Sequence, residues 1–264
     1  MYITSKNNRL YLTLVLNLLF LTSFTSNAMS LSTYRIYLDN DNSTASFVMY
    51  NKSIVAESCQ LSLVHNDFDE TGQLTQLDDD IVPENSAKPW IRFSPKNFTA
   101  DGRSPQTVRF TLRRKANTQP AEYRSYLEVY CDQVEDTTPK SATTSELPTI
   151  GVKPRLVQNV PIVVRTGKLN AEISFSKMSI DNKYVHFTVN RKGDRSVYGD
   201  IELVNKNNGE VLGFTSNNSL YTETTSTSHK LGFKNIPVDQ LALRFVEDKK
   251  YGGTITHQQD VIID

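Results

Sequence analysis

Period-two alternation constrains this chain more than any other feature, and it runs longest over residues 150–167. There Val152, Pro154, Leu156, Val160, Ile162 and Val164 share one parity, while Lys153, Arg155, Asn159 and Arg165 take the other. Successive side chains of a strand point to opposite faces, so this stretch offers one apolar face and one mostly polar face. Pro154 and Pro161 lack an amide hydrogen, which bars the stretch from a place bonded on both sides and predicts an edge strand. An apolar edge is a template for pairing with another chain, so it must be either shielded or used.

Shorter runs rich in Thr, Val, Ile, Tyr and Phe, separated by Asn, Asp, Gly and Ser clusters, continue the pattern with almost no helical periodicity. They predict strands at 33–38, 45–50, 57–65, 90–94, 106–113, 123–132 and 152–164, the content of an immunoglobulin-like sandwich. A second set is expected at 172–175, 185–190, 201–205, 211–214, 228–233, 241–246 and 261–263. The chain therefore reads as all-β, with an N-terminal domain over 29–166 and a C-terminal one over 167–264. Residues 132–148 are rich in Asp, Thr, Ser, Pro and Glu and predict a loop ahead of the long strand. Between 191 and 200 a polar turn is expected, in which Asp194 and Arg195 either fix the domain interface or cap the turn, with Tyr198 and Tyr221 as packing residues.

Residues 1–28 place Lys6 and Arg9 before an apolar run from Leu10 to Phe24, followed by Ser26-Asn27-Ala28. That order predicts a secretory signal peptide cleaved near Ala28, because the run is shorter than the ~20 apolar residues of a spanning helix. No later stretch reads as a membrane insertion. Acidic and basic residues balance at 29 each, which removes the electrostatic case for nucleic acid or an anionic membrane surface.

Cys59 and Cys131 are an even pair in a chain read as exported, each inside a predicted strand, and a disulfide is the leading reading. These strands, third and sixth in order, are neighbours in such sandwiches, so the bridge would join adjacent strands. His65, His186, His229 and His257 show no ligand spacing, so no metal site and no cofactor is expected. No nucleophile elbow, zinc-protease helix or phosphate loop is present, and the reading is not an enzyme. Asp78-Asp79-Asp80 and Arg113-Arg114-Lys115 read as solvated charge runs.

Three segments in order, Trp90-Ile91-Arg92-Phe93-Ser94-Pro95, Gln106-Thr107-Val108-Arg109-Phe110 and Pro120-Ala121-Glu122-Tyr123-Arg124-Ser125-Tyr126-Leu127, resemble the first domain of periplasmic pilus-assembly chaperones of the chaperone–usher pathway. Arg191-Lys192-Gly193-Asp194-Arg195-Ser196-Val197-Tyr198-Gly199-Asp200 and Leu220-Tyr221-Thr222-Glu223 resemble the second domain of its archaic and alternative branches. The resemblance implies two immunoglobulin-like domains in an L or boomerang arrangement, a periplasmic location, pilus subunits as partners and an outer-membrane usher as the recipient. Pilus subunits lack their last strand, and such a chaperone lends its own. Val152, Pro154 and Leu156, with Val160 extending the row, are the side chains expected to be lent. The opposite parity, with Val157, is expected to serve the chain's own fold.

The family also grips the terminal carboxylate of a pilus subunit with basic side chains. Arg35 matches one of them. The second, a lysine in the best-known branch, falls on Pro161 and is absent; Arg124, where that branch has an acidic residue, is the expected replacement. Arg165 matches a family arginine at the domain junction and completes the expected anchor. A guanidinium suits the task because it offers two parallel hydrogen bonds to one carboxylate. The rival reading is structural, a pilus subunit or adhesin of two sandwiches with residues 31–38 as its extension. Against it, the first domain owns its last strand.

Overall fold

The structure is a computed structural model that describes residues 29–68, 74–78, 80–113, 118–134, 156–181, 183–233 and 236–263. The expected signal peptide, Val152, Pro154, and the 135–148 part of the expected loop lie outside the described residues.

In chain order the first strands are β1 (Ser30–Leu31), β2 (Ile36–Leu38), β3 (Thr44–Tyr50), β4 (Glu57–Val64), β5 (Asn66–Phe68), β6 (Leu74–Gln76), β7 (Ile91–Ser94), β8 (Asn97–Ala100), β9 (Pro105–Leu112), β10 (Ala121–Gln133) and β11 (Val157–Thr166). They form two facing sheets, ordered β1-β3-β9-β7 and β2-β11-β10-β4-β8, with β5 and β6 as a separate hairpin. The alternation explains the layering. On β9, Val108, Phe110 and Leu112 point inward and meet Phe47 and Met49 of β3, while the residues between them face water. Each such side chain contributes roughly 1.5–3 kcal/mol on full burial. Cys59 and Cys131 stand opposite each other in register across β4 and β10, Cα to Cα 4.1 Å, and are bonded.

The second half supplies β12 (Ala171–Ile180), β13 (Tyr184–Gly193), β14 (Val197–Asn205), β15 (Val211–Leu220), β16 (Ser226–Gly232), β17 (Leu241–Glu247) and β18 (Thr256–Asp260). Its sheets run β12-β13-β16 and β15-β14-β17-β18. They enclose a separate core that includes Phe187, Val189, Ile201, Leu203, Leu243 and Phe245. The chain is thus all-β, folded as two immunoglobulin-like sandwiches.

Three expectations need correction. The long strand is not an edge throughout: β2 lies parallel to it at Ile162–Val164, and Pro161 stands one residue before that contact begins. Within β11 itself the expected parity fails as well. Val160, Ile162 and Val164 lie in the first sandwich's own core, whereas Val157, on the other face, is exposed. At the C-terminus the strand is Thr256–Asp260 rather than 261–263. Its half-exposed polar residues carry no apolar alternation, and it is held by ladder bonds to β17.

Candidate functional site

The ends of β2, β10 and β11 meet the β13–β14 hairpin and the 221–223 and 247–254 segments of the second sandwich. The contacts here are mostly polar and charge-paired. Arg165, last but one on β11, donates from Nε to Glu122 Oε2 (2.8 Å), from Nη2 to the Ser196 carbonyl (2.8 Å) and from Nη1 to the Gly252 carbonyl (3.3 Å). Glu122 in turn accepts from the Ser196 amide at 3.1 Å, which closes a network across the two sandwiches. Gly252 is required at this point. Its φ is +73°, and a Cβ would sit 2.3 Å from the Tyr37 hydroxyl oxygen.

Arg124, on β10, grips Glu223 with both Nη groups, at 2.8 and 2.9 Å, and packs over the Tyr221 ring at 4.3 Å. Burial pushes the Glu223 carboxyl up, but the charge and hydrogen bonds of Arg124 outweigh it and hold the group below the usual carboxylate range. Arg191 fixes the segment that carries Tyr221 and Glu223, donating to the carbonyls of Gly193, Arg195 and Thr222. Arg195 is bound to both oxygens of buried Glu247, and Asp194 accepts from the Asn170 amide, so the expected polar turn is braced from inside.

Arg35 differs from these neighbours. It stands just before β2, only 3% exposed, with its guanidinium 4.7 Å from the centre of the Tyr198 ring and 5.2 Å from that of Tyr221. Neither Nη1 nor Nη2 has a hydrogen-bond partner among the described residues, and the buried Tyr126 hydroxyl has none there either. Burial pushes the Tyr126 phenol up, far above its ordinary range, so it remains a neutral donor at any physiological pH. A buried cation between two ring faces gains about 0.5–2 kcal/mol, while unmet donors on a charged group cost more. The arrangement suits a carboxylate that supplies two acceptor oxygens.

The structure thus brings Arg35, Arg124 and Arg165 to one junction, but of the three only Arg35 has Nη groups without a partner among the described residues. Arg124 and Arg165 are each committed to a carboxylate of this chain. Tyr198 and Tyr221 pack as expected and also form the walls around Arg35. Glu122 and Glu223 stand inside the motifs that carry the resemblance, yet the sequence assigns them no role; their partners lie far away along the chain, so no local signal marks them. Val160 is buried at 2%, so its expected place in the lent row is corrected: that side chain already fills the chain's own core. Leu156 lies just ahead of β11 and is 55% exposed.

No family model matches the chain, and no curated protein does. Solved structures do. The class 5 fimbriae chaperone CfaA is similar with a TM-score of 0.47 and 12% identity, over 89% of this chain and 99% of that one. The Pseudomonas aeruginosa CupB2 chaperone is similar with a TM-score of 0.47 and 12% identity, over 88% and 100%. The Salmonella enterica SafB chaperone in complex with SafA pilin gives 0.43 and 10%, over 90% and 98%. These structural neighbours are chaperone–usher fimbrial chaperones.

Proposed function

We propose that this chain is a periplasmic chaperone of the archaic or alternative kind that caps pilus subunits by donor-strand complementation and passes them to an outer-membrane usher. Residues 29–166 would form the pilin-binding domain and 167–264 its C-terminal companion. The observation that carries the reading is Arg35, a buried guanidinium whose two Nη groups await acceptors. The terminal carboxylate of a pilin would enter between Tyr198 and Tyr221 and accept from both. From that anchor the pilin's open edge would pair along the outer half of β11, with Leu156, and ahead of it Pro154 and Val152, filling the pilin's groove. Main-chain pairing and a few apolar anchors at roughly 1.5–3 kcal/mol each would hold a pilin without a nucleotide. Arg35 is assigned the anchor; Arg124 joins only when Glu223 lets go, and Arg165 ties the sandwiches together.

The test is titration with a peptide taken from a pilin's last residues, carrying a free or an amidated terminus. Arg35→Ala should weaken capture of the free carboxylate at least about tenfold, the loss of a charge-assisted hydrogen-bonded contact, and leave the melting temperature nearly unchanged. Amidation should cost the parent protein as much, and cost Arg35→Ala almost nothing further. If Arg35→Ala still tells the two termini apart, Arg35 is not the anchor.

A further inference from the structure

In the first sandwich the two sheets leave a cleft of about 970 Å³ between β4 and β7, and its lining reaches Glu128 on β10, the strand next to β11. Two unused sheet edges flank it. β4 pairs with β8 only as far as Gln60, so Ser62 to Val64 have β10 on one side and no strand on the other among the described residues. β7 ends its sheet, bonded to β9 alone among the described strands. The floor is apolar, with Leu63 and Phe93 half-buried against the core. Around it stand Lys88, Arg92, Lys96 and Arg113, all exposed, against a single carboxylate among the described residues, Glu128. None of the four cations forms an ion pair among the described residues, and Glu128 accepts from the Ser62 hydroxyl at 3.1 Å.

We infer that this cleft is a docking groove for an acidic, extended segment of a partner polypeptide. Both edges offer free backbone donors and acceptors, which an extended chain can use and a helix cannot. An alternating segment would put apolar side chains on Leu63 and Phe93 and carboxylates toward the four cations. The excess of positive charge sets the sign of the partner. The surface shares no lining residue with the Arg35 junction, so a partner held here leaves the anchor free.

The experiment titrates the whole mature chain with a fluorescent peptide that alternates Glu and Val, followed by anisotropy. Comparison peptides carry Lys for Glu, or the same Glu and Val in two blocks. The alternating acidic peptide should bind, the Lys peptide should not, and about 300 mM salt should weaken binding several-fold relative to about 50 mM. Arg92→Glu with Lys96→Glu should weaken it at least about tenfold while the melting temperature holds, since both side chains are exposed. Hydrogen exchange should slow at the amides of Ser62–Val64 or Ile91–Ser94. Absence of binding, equal binding of the blocked peptide, or binding untouched by the charge reversals would each overturn the inference. Capture of a pilin through Arg35 is measured separately, so failure here and failure there are distinguishable.

Discussion

From Val160 to Thr166, β11 is packed by its own sandwich: Val160, Ile162 and Val164 fill the core, β10 runs beside it, and β2 covers its other side at Ile162–Val164. Between Val157 and Asn159 the same strand has β10 alone among the described residues, and Val157 is exposed together with Leu156 just ahead of it. One apolar parity therefore serves two environments. The inner half is stabilised by burial, whereas the outer half keeps an edge unpaired among the described residues and an exposed leucine in line with it. The arginines repeat the contrast, since Arg165 has all three guanidinium nitrogens engaged and Arg35 has neither Nη group engaged among the described residues. Stability and reserve are separated by a few residues along one element.

The largest effect should come from the inner half. Ile162→Asp would place a carboxylate in a core with no partner, and a loss above about 4 kcal/mol, enough to unfold the first sandwich, is expected in denaturant titration. A near-parental midpoint would mean that β11 is not held as described. Next comes Glu122→Ala, which leaves Arg165 and the Ser196 amide without their acceptor. Breaking a buried pair in this way should cost about 3 kcal/mol, read as a lower denaturation midpoint. If the midpoint does not move, the network at the junction contributes no stability.

Much of the fold was legible because burial is written in alternation. β9 and β3 show it plainly, with Val108, Phe110, Phe47 and Met49 at every second position. The disulfide partners were legible from strand order. What failed depends on neighbours that the sequence does not name. Parity says that one face of β11 is apolar but not whose core it fills, and Ile36–Leu38 had to be seen lying parallel to it. β18 escaped notice because Thr-His-Gln-Gln-Asp has no apolar face. In the site, the resemblance singles out the three arginines but not which of them is already engaged, because Glu223 reaches Arg124 across 99 residues of sequence.

The outer half gives the next test, smaller in stability though not in binding. Leu156→Asp changes an exposed residue, so stability should shift by no more than about 0.5 kcal/mol. Capture of a pilin should fall by about tenfold or more, because a charge would enter an apolar groove unpaired. Val157→Asp, on the opposite and also exposed face, should leave stability unchanged and affect capture less. Should Leu156→Asp unfold the chain, the division between the two halves of β11 fails.

The smallest effect tests what separates Arg124 from Arg35, the presence of an internal carboxylate. Glu223 has its folded carboxyl held below the unfolded value of about 4.3, so its bridge to Arg124 contributes stability above that pH and loses it as pH falls through the lower folded value. Asp39 and Asp181 are also held low, Asp181 at about 2, so acid destabilises the parent protein through several groups together. The informative quantity is therefore the stability difference between the parent and Glu223→Gln, followed from neutral pH downward. It should be constant above about pH 5 and shrink below about pH 4 as Glu223 takes a proton. A difference that ignores pH would show that Glu223 contributes nothing as an anion. If Glu223 occupies Arg124 in place of a ligand, Glu223→Gln should at neutral pH bind a free C-terminal carboxylate more tightly than the parent, and Arg124→Ala should abolish that gain. Unchanged affinity would leave Arg124 a purely structural residue and Arg35 the sole anchor.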